Sequence, residues 1–316
     1  MPRLCRTFLA TALAAVLAVP ALPRSLLHAQ APCDPWAEVT CSSSLQAPIG
    51  LPTTGGSLMM LRDNGNELEV LAMNMAFGAV ASGIVAGIRG QPVRRAVALG
   101  ALGGAINFVG KTIVAGEFDG AGLVGRQVSA IGASLTRDAA EGTEPFRRMV
   151  FPIALLNVHV DRDSPRPVRV KADLGTVIAT GVAISRGYRF DMEWSLLSGT
   201  PVFGVDYREM HSAGQHIAGV VRVMEYDGMV MYPEALRHEL IHVAQNDGAF
   251  ITWSEPVERH LFSRVPVFRR LHEYIDFGLQ VPVRAYANSI VGYDSRPWEW
   301  EAGVLSGTWG YQRSSR

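Results

Sequence analysis

Residues 237–245 read RHELIHVAQ, and inside this stretch His238, Glu239 and His242 spell the pattern H-E-x-x-H. Neither Pro nor Gly interrupts residues 234–246, and the residues around the motif are mostly apolar or good helix formers, so the sequence predicts a helix. Residues four apart lie one turn above each other on a helix. His238 and His242 can therefore direct their imidazole nitrogens to one point, as a divalent zinc ion requires.

Glu239 is expected to serve the chemistry of this site rather than to bind the metal. It lies one step round the helix from His238, close to the open side of the metal but not pointing straight at it. A carboxylate in that position suits the removal of a proton from a zinc-bound water. The alternative is an amphipathic helix whose two histidines are ordinary surface or core residues. The helical setting favours the metal site.

A catalytic zinc site also needs a third protein ligand and an open position for water. The sequence offers Glu255 and Glu258 shortly after the motif, and Glu299 and Glu301 in the later stretch PWEWEA. Pro297 is favoured at the first position of a helix, and acids suit that end of the helix dipole. Glu299 and Glu301 lie roughly 200° apart on a helix, so only one of them is expected to face the metal. Geometry alone leaves both pairs open, and either pair can be ordinary charge placement at a helix N-terminus.

Together, HELIHVAQ and the downstream PWEWEA resemble the zincin-type metallopeptidases, in particular the bacterial exported group with H-E-x-x-H-x-x-Q and a later E-x-E-A. The resemblance covers roughly residues 219–303. In such proteins the two motif histidines and a later glutamate bind zinc, and the motif glutamate is the catalytic base. Gly303 stands where related zincins have the Asp of an E-x-x-x-D pattern. The resemblance implies the zinc ligands His238, His242 and Glu299 (alternatively Glu301), the catalytic base Glu239 and a supporting Gln245.

These roles imply a zinc-dependent hydrolase, a metallopeptidase that acts on a protein or peptide substrate. The developing oxyanion needs a donor beyond zinc, and side chains of the right type are His260, Tyr286, Tyr293 and Arg296. A second interpretation is a non-catalytic, zinc-containing envelope protein that binds or scaffolds other molecules, with membrane anchoring as a further option. A closed site with a fourth protein ligand, such as His260 or His272, would favour this second interpretation.

The N-terminus has the pattern of a signal peptide. Arg3 and Arg6 precede a long apolar run at residues 7–22, and residues 29–31 supply the small residues that a signal peptidase reads. We predict a signal peptide at residues 1–31, with an uncleaved anchor as the alternative. The mature protein is then exported to the periplasm, the cell envelope or the medium.

A linker with a disulfide loop is predicted after the signal peptide, at residues 32–66. Of the three cysteines, Cys5 falls in the signal peptide, which leaves Cys33 and Cys41 in the exported chain. A pair of cysteines in an oxidising compartment favours a disulfide. Two free thiols or two metal ligands are the alternatives, but no further Cys or nearby His would complete a metal site.

Residues 67–145 are predicted to be a Gly/Ala-rich helical region. Its segment 68–116 holds two apolar runs, each of about the length that a helix needs to cross a bilayer, joined by a loop with three Arg. Small residues would let the two helices approach closely. A spanning hairpin would give membrane association through this segment. A buried hairpin in a soluble protein is the alternative, which polar residues such as Asn74 and Lys111 favour.

Residues 146–316 are predicted to hold a strand-rich part followed by the zincin-like metal-binding helices. The segment 219–224, just before the motif helix, is expected to offer a strand edge to an extended substrate. His159, Asp161 and Asp163 alternate near a strand end, and a solvated strand face is a better interpretation of them than a cation site. The predicted strands are 150–160, 168–172, 176–183, 188–194, 202–205 and 219–224.

The composition fits a folded α+β protein with Gly/Ala-rich N-terminal helices, an antiparallel strand-rich middle and C-terminal helices around the motif. The 316 residues are 48% hydrophobic and 18% charged, which is enough apolar material for a core. The formal net charge is zero. Nothing in this balance argues for a nucleic-acid partner.

Overall fold

The computed structural model describes residues 66–210, 212–226, 228–291 and 296–308. The predicted signal peptide and the cysteine pair of the linker lie outside these residues. Within them the chain combines helices with two mixed β-sheets, and the α+β class is confirmed.

Three long helices come first in the chain: α1 (Asn66–Ile88), α2 (Val93–Val114) and α3 (Ala121–Glu141). They confirm the predicted helical region, and α1 and α2 form the predicted hairpin. The backbones of this hairpin touch at glycines. A Cβ on Gly78 would lie 2.2 Å from the carbonyl oxygen of Gly100, and a Cβ on Gly104 would lie 2.1 Å from that of Asn74. Only glycine permits so close an approach, because any side chain would push the helices apart.

α3 lies inside the molecule and is buried over most of its length. It packs along α2 on one side and against the helix that carries the H-E-x-x-H motif on the other. Arg126 of α3 donates a hydrogen bond of 2.8 Å to the buried carboxylate of Asp247 near the end of that helix. Removing one partner of such a buried ion pair typically costs about 3–5 kcal/mol. The N-terminal helices are therefore fixed to the C-terminal part of the chain.

The first sheet has four strands: β1 (Arg148–Ile153), β2 (Leu156–Asp161), β3 (Val168–Asp173) and β9 (Ile275–Asp276). Neighbouring strands among β1, β2 and β3 are antiparallel, and β9 joins β3 in parallel. The single strand predicted at 150–160 is wrong, because the chain turns back at Ala154, where φ is 52°. The N–H of Ala154 donates to the carbonyl oxygen of Gly199 at 2.7 Å, a distant contact that holds the turn.

The second sheet has five strands: β4 (Arg189–Asp191), β5 (Val202–Asp206), β6 (Gly214–Ile217), β7 (Val220–Tyr226) and β8 (Met229–Val230). Their order is β4-β5-β7-β6, and β8 pairs with the end of β7. β5 and β7 are parallel, whereas the other pairs are antiparallel. The prediction that the strands in the middle of the chain pair in antiparallel fashion is thus wrong in part. Each parallel pair joins strands that are not consecutive in the chain, and alternation within one strand cannot reveal such a pairing.

The predicted strand 176–183 and the second half of 188–194 are helical instead. They belong to α4 (Leu174–Ser185) and α5 (Met192–Ser198). An aspartate before each helix accepts a hydrogen bond from the backbone N–H three residues later, at 2.8 Å in Asp173–Thr176 and 3.0 Å in Asp191–Trp194. Such a cap satisfies a free N–H at the helix start. Short apolar runs fit a strand and a helix equally well, and here the cap and the packing decide.

The C-terminal helices are α6 (Pro233–Ala249), α7 (Glu255–Phe262), α8 (Pro266–Leu271), α9 (Gln280–Ile290) and α10 (Pro297–Ser306), and π-helical residues 250–254 join α6 to α7. The predicted motif helix is confirmed as α6, and the helix opened by Pro297 as α10. Apolar residues of α6 share one buried cluster with Val114 of α2, Val202 and Val223 of the second sheet, and Ala302 of α10. α6 therefore lies at the centre of the molecule.

The strand edge expected at 219–224 is wrong, because β7 lies inside the sheet between β5 and β6. β6 is the edge strand on this side of the sheet. It pairs with β7 through the register Gly214 to Val223 and Ile217 to Val220. Its outer side is paired with no described strand, and β6 also packs against α6.

Changing Gly104 to Ala is expected to lower the free energy of unfolding by about 1–3 kcal/mol, because the helix backbones must separate to admit the new methyl group. Denaturant-induced unfolding followed by circular dichroism measures this change. Gly181→Ala in α4 is the matched control, since no heavy atom lies within 4 Å of its Cβ position. That variant is expected to keep or raise the stability. Equal effects of the two changes would contradict the assigned helix contact.

Candidate metal centre

α6 turns both motif histidines to one side, where they are buried. The Nε2 atoms of His238 and His242 lie 3.1 Å apart. α10 packs against α6 here and brings a carboxylate oxygen of Glu299 to 3.0 Å from Nε2 of His242 and 3.4 Å from Nε2 of His238. These three side chains form a group that could hold a metal ion.

The geometry of this group fits a tetrahedral zinc ion. Zinc binds His nitrogen and Glu oxygen at about 2.0–2.2 Å, so two ligand atoms of a regular tetrahedron lie roughly 3.3–3.6 Å apart. The three observed separations of 3.0, 3.1 and 3.4 Å are close to this value. Among the described residues, no fourth His, Cys, Asp or Glu joins the group. Three protein ligands and one open position are typical of a catalytic zinc site.

Gln245 lies behind His242, and its amide is held in one orientation. Its amide nitrogen donates to the carbonyl oxygen of Trp298 at 3.0 Å and to the carboxylate of Glu301 at 2.8 Å. Both partners only accept, so the orientation of the amide is fixed. The amide oxygen of Gln245 then lies 2.8 Å from Nδ1 of His242 and can accept a hydrogen bond from a protonated Nδ1, while Nη2 of Arg284 lies 3.1 Å from the same nitrogen. With the proton on Nδ1, the lone pair of His242 Nε2 is left for a metal.

Two hydroxyl groups at the C-terminal end of α10, those of Ser306 and Thr308, face the other histidine. Oγ1 of Thr308 lies 3.2 Å from Nδ1 of His238, and Oγ of Ser306 lies 3.4 Å from it. Either hydroxyl can accept a hydrogen bond from a protonated Nδ1. His238 can therefore present an unprotonated Nε2 to the same point as His242.

Glu301 supports the site from behind. Its carboxylate accepts hydrogen bonds from Lys111 of α2 at 2.5 Å and from Asn74 of α1 at 2.7 Å, besides the one from Gln245. Burial alone would raise the pKa of Glu301, but the ion pair with Lys111 and these hydrogen bonds lower it. Because Glu301 is fully engaged here, the geometry favours Glu299 over Glu301 as the third ligand.

Glu239 lies beside the group, in the space between α6 and β6. Gly214 provides that space, because a Cβ on it would lie 2.7 Å from Cγ and 3.1 Å from Oε1 of Glu239. Glu239 is only 9% exposed, yet its carboxylate forms no hydrogen bond or salt bridge with any described residue. Burial raises the pKa of this carboxyl group, and the neighbouring histidines offset part of the rise. The carboxylate is thus available to a molecule bound in the cleft.

Two residues without any sequence motif also border the group. Arg284 of α9 donates to the carbonyl oxygen of His242 at 3.2 Å. The ring of His216, on β6, lies 6.3 Å from that of His242 between centroids. Nε2 of His216 accepts a hydrogen bond of 3.1 Å from the N–H of Gly219, so its Nδ1 carries the proton. Burial and then the charge of Arg284 lower the pKa of His216 well below its usual range, which keeps this ring neutral.

The earlier pair of candidate ligands lies away from the group. Glu255 pairs with Arg137 of α3 at 3.7 Å. Glu258 is buried and accepts hydrogen bonds from the backbone N–H groups of Phe277 and Leu279 at 2.9 and 3.0 Å. Both acids therefore fix α7 to its neighbours.

The predicted oxyanion donors have other surroundings. His260 is exposed on α7 and lies 2.8 Å from Arg264. Arg296 donates to backbone carbonyl groups at the end of α9, and Tyr286 is largely exposed on α9. Tyr293 lies outside the described residues. His216 is a neighbour of the group that sequence analysis missed, because only the pairing of β6 with β7 brings it beside α6.

A second group of side chains that could hold a metal ion consists of Glu258, His272 and Asp276. Lys171 lies among them, with Nζ 3.0 Å from Asp276 and 3.3 Å from His272, so a cationic side chain already neutralises this group. Burial alone would raise the pKa of Asp276, but hydrogen bonding and charge from His159, and then Lys171, lower it to about 2. Asp276 thus stabilises the fold at pH values above its unfolded pKa, and this contribution is lost as the pH falls towards 2.

The alternating residues near the end of β2 do not form a cation site. His159 points inward and bonds Asp276 at 2.7 Å. Asp161 accepts from the N–H of Asp163 in the following turn, and Asp163 pairs with Arg147 at 2.8 Å. The predicted solvated strand face is therefore wrong for His159, which is buried, whereas Asp163 is exposed in the turn that follows the strand.

Zinc content distinguishes the two acids of α10. Wild type is expected to hold about one zinc per chain, and Glu299→Gln to lose it, because an amide is a poor zinc ligand. Glu301→Gln is expected to keep the zinc with roughly 10- to 100-fold lower affinity, since it weakens the orientation of Gln245. Glu234→Gln, in the first turn of α6, is the matched control. Metal analysis and chelator competition measure both quantities, and loss of zinc from Glu301→Gln alone would reverse the assignment.

No protein-family model, no curated protein and no solved structure matches this chain. The resemblance to the zincins therefore rests on the two motif stretches alone, residues 238–245 and 297–302. The chemistry available to the site is that of its own side chains: two imidazoles and one carboxylate around a common point, and a second carboxylate beside it.

Proposed function

We propose that this protein is a zinc-dependent metallopeptidase whose centre is formed by His238, His242 and Glu299. The observation that carries the proposal is the state of Glu239, a nearly buried carboxylate beside the ligand atoms that has no hydrogen-bond or salt-bridge partner among the described residues. A purely structural metal site has no need of such a group, whereas hydrolysis needs a base at this position.

In the proposed reaction, zinc held by the three ligands would polarise both a water molecule and the peptide carbonyl group. Glu239 accepts a proton from the water molecule while the oxygen of that water adds to the carbonyl carbon. It then passes this proton to the amide nitrogen, so that the C–N bond breaks and a carboxylic acid and an amine are released. The Nδ1–H of His216 can donate a hydrogen bond to the developing oxyanion. Gln245 keeps the ring of His242 in its orientation during these steps.

The proposed substrate is a protein or peptide chain, and the proposed place of action is outside the cytoplasm. β6 supports a peptide substrate, because no described strand pairs with its outer edge and an extended chain can add there, beside Glu239. The extracytoplasmic location rests on the signal-peptide pattern of residues 1–31. The neutral overall charge gives no support for a nucleic-acid partner.

A non-catalytic zinc protein of the envelope is the second candidate function. A fourth protein ligand that closed the site would favour it. His260 and His272 were the candidates for that ligand, but His260 contacts Arg264 and His272 lies beside Lys171. The described residues therefore supply three ligands and favour the catalytic proposal.

Replacing Glu239 by Gln tests the proposed base. We expect this change to reduce hydrolysis of fluorescein-labelled casein by roughly 100-fold or more, since general-base catalysis contributes about 10²–10⁴-fold. Zinc content should stay at about one per chain, because Glu239 is not a ligand. Glu234→Gln is the control with unchanged activity. Full activity of Glu239→Gln would remove this residue from the role, and zinc-loaded wild type without peptidase activity on any protein would favour the non-catalytic candidate.

We also propose that the α1–α2 hairpin associates with a membrane. Both helices are long and apolar enough to cross a bilayer, and only 22% and 39% of their most apolar windows are buried inside the protein. The outer face of α1 carries large apolar residues at helical spacing: Phe77, Val80, Ile84 and Ile88. Arg89, Arg94 and Arg95 lie at the closed end of the hairpin and suit anionic lipid head groups.

Charged residues on the outer face of α1 should weaken this association. The double change Phe77→Asp and Ile84→Asp is expected to reduce binding to phosphatidylcholine–phosphatidylglycerol vesicles at least about 10-fold, because an acid in the apolar layer is costly. Co-sedimentation after a high-salt wash measures the bound fraction. Tyr286→Asp with Ile290→Asp, at similarly exposed positions of α9, is the control. Absence of wild-type binding, or equal loss in both double variants, would contradict the proposal.

A further inference from the structure

An apolar cleft of about 340 Å³ lies on the face of the second sheet that is turned away from α6. Successive residues of β7 point to opposite faces of the sheet. Val221 and Val223 pack in the buried cluster of α6, whereas Val220 packs against Ala183 of α4 and lines the cleft. The cleft is therefore separate from the groove that holds Glu239.

Aliphatic side chains form most of the walls of the cleft. α4 supplies one wall, the turn between β6 and β7 a second, and the start of α9 a third. Ile178 and Val182 of α4 line the cleft and are 57% and 47% exposed. Contact of apolar surface with water is unfavourable, so an apolar ligand that covered these side chains would bind favourably. The volume lies at the lower end of the range for ligand pockets, roughly 300–1,000 Å³.

The two ends of the cleft differ in polarity. At the start of α4, a Cβ on Gly175 would lie 3.5 Å from Cβ of Ala218 and 3.3 Å from the side chain of Val281, and this end is apolar. Beyond the other end of α4, the guanidinium carbon of Arg222 lies 5.7 Å from the centre of the Tyr188 ring. α4 has 12 residues and therefore runs roughly 18 Å between these ends. The cleft is elongated, and Arg222 is the one charged residue in its lining.

Arg222 carries a positive charge that pairs with no described acid. Its Nη2 donates a hydrogen bond to the neutral side chain of Gln215, and its buried Nε has no hydrogen-bond partner among the described residues. Arg186 adds a second positive charge nearby, because a hydrogen bond from Arg186 and the charge of Arg222 both lower the pKa of Tyr188. A guanidinium group binds a carboxylate through charge-assisted hydrogen bonds. The polar end of the cleft therefore suits an anionic head group.

We propose that this cleft binds a medium-chain fatty acid. The hydrocarbon chain lies between α4 and the second sheet, and the carboxylate accepts hydrogen bonds from Arg222 and from the hydroxyl group of Tyr188. A linear chain with one charged end matches both the elongated apolar walls and the single charged residue of the lining. Each CH₂ group that enters the cleft is expected to raise the affinity about fourfold. The site does not depend on the proposed peptidase function.

Isothermal titration calorimetry of the purified protein with decanoate, butanoate and decanol tests both parts of the ligand. Decanoate is expected to bind at least about 100-fold more tightly than butanoate, which has the same head group and a short chain. It is also expected to bind at least about 10-fold more tightly than decanol, which keeps the chain but has no charge.

Replacing Ile178 by Trp fills the cleft and is expected to lower the affinity for decanoate at least about 10-fold. Ile184→Trp is the matched control, since Ile184 lies on the same helix but outside the lining. The two residues are similarly exposed, at 57% and 62%, so both variants should fold, and circular dichroism checks this. Decanoate adsorbed elsewhere, for example on the outer face of α1, would bind to both variants equally, and that result would overturn the assignment.

Replacing Arg222 by Gln separates the head group from the chain. This variant is expected to bind decanoate and decanol with similar affinity, because only the contact with the carboxylate is lost. Arg208→Gln, at an exposed position just after β5, is the control for the change in net charge and should keep the preference for decanoate. Absence of decanoate binding to the wild type, or equal affinity of the wild type for decanoate and decanol, would also overturn the proposal.

Discussion

The proposed metal centre depends on the hydrogen bonds that hold Gln245. Glu301 and the carbonyl oxygen of Trp298 fix its amide nitrogen, so its amide oxygen faces Nδ1 of His242 and can accept a hydrogen bond from it. Without this orientation, Nε2 of His242 could carry the proton and would not be a ligand. Lys111 in turn neutralises Glu301. The buried ion pair between Lys111 of α2 and Glu301 of α10 is therefore linked to the proposed metal position. The link runs through the amide of Gln245 and the imidazole of His242.

This arrangement gives the α1–α2 hairpin two different faces. Its inner face contributes glycines to the close helix crossing, and Asn74 and Lys111 to the support of Glu301. Its outer face is apolar and exposed around Phe77 and Ile84. Asn74 and Lys111, which interrupt the apolar runs, are thus explained by their contacts with Glu301. Phe77 and Ile84 are exposed and take no part in these contacts.

The polar networks of the C-terminal part differ in how completely they are paired. Asp276 has His159 and Lys171, Glu258 has two backbone N–H groups, and each acid thereby fixes neighbouring elements. Glu239 differs from both because no described donor reaches its carboxylate. Among these three acids, Glu239 alone therefore has no partner among the described residues.

The sequence by itself determined the motif helix, the long helices of the Gly/Ala-rich region and the helix that begins at Pro297, because the local signals there agree: helix formers, spacing and capping residues. The residue types that can bind a metal, and their spacing on α6, could also be predicted from the sequence, because a spacing of four residues is a local property. The position of Glu299 beside the two histidines, the neighbours His216 and Arg284, and the edge strand β6 depend on the tertiary structure. Each of these depends on the packing of elements far apart in the chain, as does the helical state of α4. Such contacts leave no periodic pattern in the residues that make them.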